Sequence, residues 1–344
     1  MYVLIGILLL GILIAVHEFG HFMAARICGI EVMEFAIGFG PKIVGWTGKS
    51  GTKFAFRCIP LGGYCAFYGE DDVDGKHKDD PRAYNKQSVW KRMFSVIMGP
   101  MMNFILAFVV ATVFYWCAGA AEVTSTIDQI EAGRPAASAG IAVGDRIIGV
   151  NGVDMSERPA TEIREAVNGA EPVTVTILRG EETFETTITP FWDEELQRYR
   201  IGITFGSRSV PLPFMQAVEY SWSYCVEAGT LIVRTLGEMV TKGEHLDEVG
   251  GPVGAVATVS QAVQQEGWTA FVGMLVMISV NLGVMNLLPI PGLDGSRFIF
   301  MVIEAVRGKP VKPEREAMVH MIGMLFLFAL MIWFTFKDII RLFQ

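Results

Sequence analysis

The sequence predicts an α-helical polytopic membrane protein with four transmembrane helices, a membrane-associated β-rich loop and an inserted extracytoplasmic β-rich domain. Three observations carry this fold class. Of the 344 residues, 51% are hydrophobic, and the mean hydropathy is +0.40, above an ordinary soluble domain. Four apolar runs approach the roughly 20 residues that a helix needs to cross a hydrocarbon core about 30 Å thick. Charge is also partitioned. Residues 24–93 hold 11 Lys and Arg, residues 290–317 hold five, and residues 122–210 hold 15 acidic against eight basic residues with no lysine. By the positive-inside rule the two basic segments are cytoplasmic, which places the acidic domain outside.

The first span, residues 1–24, could be confused with a signal peptide. It lacks a basic leading region and a small-residue cleavage site, so it reads as a retained helix. Residues 25–93 form a cytoplasmic loop in which "TKFAFRCI" alternates like a strand between glycine-rich segments. A membrane-associated β-hairpin and a plain loop both fit that pattern. The second span covers 94–117. Residues 122–208 form the external domain, with "TVTILRGEETFETTITP" read as two strands about the turn "RGEE". Residues 211–265 are amphipathic. Glu219, Glu227, Arg234 and Glu238 interrupt them, which favours a helix lying in the interface over a span. The third span, 268–296, ends in "NLLPIPGLDG". Residues 297–316 are a cytoplasmic loop, and 317–338 the fourth span. The net charge of −8 gives no nucleic-acid signal, and the expected surroundings are a lipid bilayer. Cys28, Cys58, Cys65, Cys117 and Cys225 contain no CxxC pair, which indicates neither a disulfide framework nor a thiolate zinc site.

The chemistry lies in "HEFGH", residues 17–21. Ionisable groups within a span are costly and functional by default. On a helix, residues four apart lie about 40° apart, so His17 and His21 share a face. Two imidazoles so placed can bind one Zn2+, with Glu18 beside the metal as general base. A catalytic zinc site takes three protein ligands and keeps one position open. His77, His245 and His320 are poor third ligands. His77 lies in a charged loop, His245 in the amphipathic region, and His320 in the basic turn before the last span. Asp294 is the better candidate, because the prolines and glycines around it free the backbone at membrane depth, as happens where a cavity is lined. A simple Asp-Gly turn is the other reading of the same residue.

Topology adds an independent argument. With four spans and both termini outside, spans one and three both run inward. "HEFGH" and Asp294 then reach the same cytoplasmic-side depth. A crossing by residues 214–242 would put Asp294 on the wrong side.

"AASAGIAVGDRIIGVNGVDM" in the external domain resembles a PDZ domain. "HEFGH", "GPMMNFILA" and "NLGVMNLLPIPGLDG" together resemble the site-2 protease family. The interposed PDZ domain is similar to its bacterial, RseP-type branch. The resemblance implies a zinc intramembrane metalloendopeptidase with His17, His21 and Asp294 on one Zn2+ and Glu18 as catalytic base. It implies single-span membrane proteins as substrates, such as anti-sigma factors or signal-peptide remnants. It links Asn281 and Asn286 to substrate handling; interhelical packing is the other reading of both. "GFGPKI" and "IPLGGYC" match the family's glycine-rich β-loop. A PDZ groove would take an extended peptide by strand addition. The best-known members carry two tandem PDZ domains, whereas this chain has room for one, which leaves the substrate open.

Two other classes compete with the protease. One is a catalytically idle membrane scaffold presenting a PDZ peptide-binding groove, against which the buried Glu18 argues. The other is a metal transporter, for which internal repeats are expected and none is seen. In the protease reading, a substrate helix must unwind, and a strand edge in the 50–60 region could hold it extended.

Overall fold

The computed structural model describes residues 2–70, 80–194, 196–243 and 250–342. His77 and His245 lie outside the described residues. In chain order, helix α1 (Tyr2–Cys28) is followed by strands β1 (Val32–Thr47) and β2 (Lys53–Phe67) and helix α2 (Val89–Ala118). Next come β3 (Ala120–Ile130), α3 (Pro135–Ser138), β4 (Arg146–Val150), β5 (Val153–Asp154), α4 (Ala160–Ala166), β6 (Val173–Arg179), β7 (Glu182–Ile188), β8 (Phe191–Asp193), β9 (Arg198–Arg200) and β10 (Ile203–Val210). Five helices close the chain: α5 (Phe214–Lys242), α6 (Pro252–Glu266), α7 (Trp268–Leu287), α8 (Asp294–Arg307) and α9 (Pro313–Leu342). These elements form two compact units, Met1–Phe114 with Met215–Gln344, and Tyr115–Phe214.

Among the described residues, four helices are long and apolar enough to cross a membrane: Tyr2–Cys28, Val89–Ala118, Trp268–Leu287 and Glu314–Ile340. Helix α1 stops at Gly29, whose φ of 73° is the left-handed cap conformation. The chain then folds back as the antiparallel pair β1–β2. Phe35 and Ala36 pair with Phe54 and Ala55, and also with Cys65 and Tyr64. The 53–57 segment is therefore paired on both sides, by residues 34–37 and by 42–47. Its backbone donors are spent, so the edge expected in the 50–60 region is not free there. Among the described pairs, residues 63–67 take partners only from 32–37 and residues 42–47 only from 53–57, so these two segments carry the edges, and 63–67 is the one beside α1.

Residues 211–265, read as one amphipathic interfacial stretch, are two helices with different surroundings. Ala217, Ser221 and Ala228 are the buried residues of α5. They lie within about 40° of arc and make a flat, small-residue face. Trp222 meets Phe108 of α2 at 6.1 Å between ring centroids, and Gly229 faces Val280 and Val284 of α7. Helix α6 packs into the core instead: Val259 and Val263 join Leu9, Leu13, Phe271 and Leu275 in one cluster.

The third span and the loop after it also differ from the sequence reading. Helix α7 stops at Leu287, because Leu288 precedes a proline and turns extended (ψ 147°). Asp294 then opens a new helix, α8, which runs to Arg307 through the expected 297–316 loop.

The second unit holds the sheet β10-β3-β4-β6-β7, with β5 paired to β4, and a separate β8–β9 hairpin. Arg179 pairs with Glu182 across the β6–β7 turn. Alternation along β6 buries Val173, Val175 and Ile177 against Ile127, Ile147 and Ile163. A cavity of about 230 Å³ opens between α4 and β10, floored by Ile147, Ile163, Ile203 and Phe205 and flanked by Arg164.

Candidate metal centre

His17 and His21 are buried at 9% and 6% exposure on α1. Asp294, 277 positions further along the chain than His17, meets them from the start of α8. One donor atom of each lies within 4.8 Å of the others, and among the described residues this is the only such group. Asp294 Oδ2 is 3.0 Å from His17 Nε2 and 3.3 Å from His21 Nε2; the two Nε2 atoms are 3.2 Å apart. Four ligands at the usual Zn–N and Zn–O lengths define a tetrahedron with edges of about 3.3 Å. The three measured edges match that figure.

The tautomers fit as well. His21 Nδ1 lies 2.9 Å from the Ser95 carbonyl oxygen. A carbonyl only accepts, so Nδ1 carries the proton and Nε2 offers a lone pair to the cluster. Asn103, fully buried, places its amide 3.3 Å from His17 Nδ1. Its Oδ1 has no hydrogen-bond partner among the described residues. Exchanging the two ends of the amide lets His17 Nδ1–H donate to Oδ1, which leaves the Nε2 lone pair facing the cluster. Beyond the two imidazole nitrogens, Asp294 Oδ2, itself buried, is without a hydrogen-bond partner among the described residues. A carboxylate and two imidazole nitrogens that converge in this way could hold a cation, and the donor set suits zinc.

Close approach of α1 to α2 depends on two glycines. A Cβ on Gly20 would lie 2.2 Å from the Met98 carbonyl oxygen, and one on Gly99 would lie 2.2 Å from His21 Nε2. Glu18 is half-buried. A Cβ on Gly63 would lie 2.9 Å from its Cγ, so the free-edged segment of β2 runs past the carboxylate.

A family model described as peptidase family M50 matches residues 5–330. The chain belongs to peptidase family M50. Among relatives, it is 31% identical to the regulator of sigma-W protease RasP of Bacillus subtilis, covering 98% of each chain. It is 31% identical to the zinc metalloprotease RasP of Oceanobacillus iheyensis, again over 98% of each. The PDZ domain of an SdrC-like protein from Listeria monocytogenes matches 24% of this chain and 86% of that one, at 19% identity and a TM-score of 0.21. That likeness is too slight to carry an argument.

Among M50 residues expected to handle substrate, the structure separates the two asparagines. Ser279 Oγ donates to the Asn103 carbonyl at 2.8 Å, which marks the α7 face turned to α2. Asn286, seven residues on, falls within about 20° of that face; Asn281 points about 160° away from it. Asn281 is exposed and Asn286 half-buried. Neither belongs to the three-residue cluster. His320, expected in a turn, sits within α9 and accepts a hydrogen bond from the Gly292 amide at 3.2 Å, holding the chain just before Asp294. Ser95, Gly99, Asn103 and Gly63 escaped the reading of residue roles. An asparagine beside Gly-Pro inside an apolar run was the available signal.

Proposed function

We propose that this chain is a zinc-dependent endopeptidase that cuts transmembrane segments of single-span membrane proteins, with His17, His21 and Asp294 as metal ligands and Glu18 as catalytic base. The carrying observation is the convergence of three buried donor atoms at tetrahedral spacing within and beside apolar helices. The family membership and the relatives' names, which include "zinc metalloprotease" and "regulator of sigma-W protease", support it. Zinc in such a site supplies Lewis acidity, polarising a peptide carbonyl and acidifying water.

The chain's own residues supply the rest. Ser95 and Asn103 fix the imidazole tautomers. Glu18, on the same helix turn as both histidines, accepts the proton from water and delivers it to the leaving amine. The free edge at 63–67 pairs with an unwound substrate backbone, and Asn286, on the α2-facing side of α7, contributes amide hydrogen bonds there. The positive-inside pattern supports a plasma-membrane protein with its site toward the cytoplasm. The same pattern supports an extracytoplasmic PDZ domain, whose cavity between α4 and β10 suits an extended peptide. Substrates of the anti-sigma-factor or signal-peptide-remnant kind fit this layout.

The test compares the wild type with Glu18→Gln for zinc content and for cleavage of a single-span substrate in proteoliposomes. The variant is expected to keep one zinc and lose cleavage. Full cleavage by Glu18→Gln would overturn the assignment of the base, and a wild-type protein without zinc would overturn the centre.

A further inference from the structure

Asp294 is the first residue of α8 and follows a loop whose Gly292 has a φ of 100°. The hydrogen bond from the Gly292 amide to His320 holds this loop, and contacts along α8 itself set the rotation and height of the helix beyond it. Apolar packing seats one side of it: Met301 joins Ala25 of α1 and Val96 of α2 in a buried cluster, with Phe298 against it. Two ion pairs add directional contacts. Arg92 of α2 pairs with Glu304, and Arg297 pairs with Glu70, which follows β2. At 100° per residue, Asp294, Arg297, Met301 and Glu304 fall within one arc of about 80°. The two pairs sit about 10.5 Å apart along the axis, on the side that presents Asp294.

The pairs are not equivalent. Arg297 is 42% exposed, and solvent weakens such a contact. Arg92 and Glu304 are 8% and 19% exposed. Arg92 is also fixed by its Nε bond to the Gln87 carbonyl at 3.2 Å and by the Tyr84 ring, 5.9 Å away. It lies one turn before Ser95, whose carbonyl orients His21, and its own carbonyl accepts from Ser95 Oγ at 2.8 Å. One residue thus ties the helix carrying Asp294 to the part of α2 that orients His21.

We propose that Arg92 and Glu304 are positioning residues for the metal centre, setting α8 so that Asp294 reaches the ion, with Glu70 and Arg297 in a lesser supporting role. The inference rests on the three-ligand reading of His17, His21 and Asp294. Planar, bidentate-capable guanidinium suits this task better than an ammonium, because it fixes orientation as well as charge.

The test uses the full chain in detergent, stripped of metal and reloaded with Co2+ alone or Zn2+ alone. Zinc affinity is measured by chelator competition and ligand geometry by Co2+ visible absorption. Arg92→Ala and Glu304→Gln should each weaken zinc binding about 10–100-fold, the range seen when groups supporting metal ligands are removed. Both should alter the Co2+ spectrum, and Glu70→Gln should do so less. The exchange Arg92→Glu with Glu304→Arg should bring both readouts back toward the wild type. Arg92→Lys keeps the charge and is the variant to use if Arg92→Ala does not accumulate; it should fold and show an altered spectrum. Wild-type affinity and an unchanged Co2+ spectrum in Glu304→Gln and Arg92→Lys would overturn the proposal. Failure of the underlying reading looks different: the wild type would then bind no metal, or His17→Ala would leave binding intact.

Discussion

Gly99→Ala adds one methyl group to α2, and on helix propensity alone it should help, since alanine is favoured over glycine by about 1 kcal/mol in a helix interior. The structure predicts the opposite for the metal centre. The new Cβ would lie 2.2 Å from His21 Nε2 and 2.3 Å from Cε1. Ordinary contact begins near 3.4 Å, so the ring must retreat by roughly 1 Å. Metal–ligand distances tolerate only about 0.2 Å. Retreat from α2 would also stretch the Nδ1 bond to the Ser95 carbonyl on the same helix. His21 therefore leaves the site or α2 shifts, and either change removes a ligand. Zinc affinity should fall at least about 100-fold, more than the cost of losing a supporting group, and cleavage should fall with it. Gly11→Ala is the control: it lies on α1 with nothing within 4 Å of its added Cβ, and should leave zinc and activity unchanged. The assay is zinc stoichiometry and chelator competition on purified protein, alongside turnover of a single-span substrate. A Gly99→Ala protein with one tightly held zinc and wild-type turnover would refute the reasoning.

Asp294→Asn should retain insertion and lose zinc affinity by at least about 10–100-fold. Asp294→Glu should also fail, since one methylene displaces the carboxylate by about 1.5 Å where Zn–O must be near 2.0–2.2 Å; zinc retention by either in the competition assay would contradict the three-ligand centre. Asn286→Ala should reduce turnover at least about tenfold more than Asn281→Ala, because only Asn286 lies on the α2-facing side of α7; equal effects in the proteoliposome assay would remove that distinction. In the external domain, the Arg179 guanidinium, bonded to both Asp145 oxygens at 2.8 Å, holds the Asp145 carboxyl below its ordinary value. A depressed folded value contributes stability above the unfolded value of about 3.9, which is lost as pH falls from there through the folded value. Protection factors of β4 and β6 amides in the full chain, taken relative to the intrinsic exchange rate at each pH, should therefore fall below about pH 4, and Asp145→Asn should show lower protection at pH 7 with a flatter acid limb.

Local pattern alone carried much of this protein. Apolar length marked the helices that can span, because a bilayer core demands about 20 residues whatever the neighbours are. The four-residue spacing of His17 and His21 put two ligands on one face, a consequence of helix pitch. Strand alternation marked β6 and β7, since the pleat has period two. The motifs sufficed for the family resemblance, which agrees with the family match over residues 5–330.

Other features belonged to no local window. The double pairing of residues 53–57 leaves the strand edges at 42–47 and 63–67 instead, because register is settled between strands. Helix α8 went unread because its short amphipathic run is closed by Gly-Lys-Pro and looks like a basic loop. Helix α6 was read with the charged stretch before it as interfacial, yet it buries Val259 and Val263 against α1 and α7. The sequence nominated Asp294, but only packing brings it to the histidines, and only packing shows why Gly99 must be glycine. Those constraints are distances between helices remote in sequence, set by side-chain volume and ion pairing across interfaces that no single stretch of sequence contains.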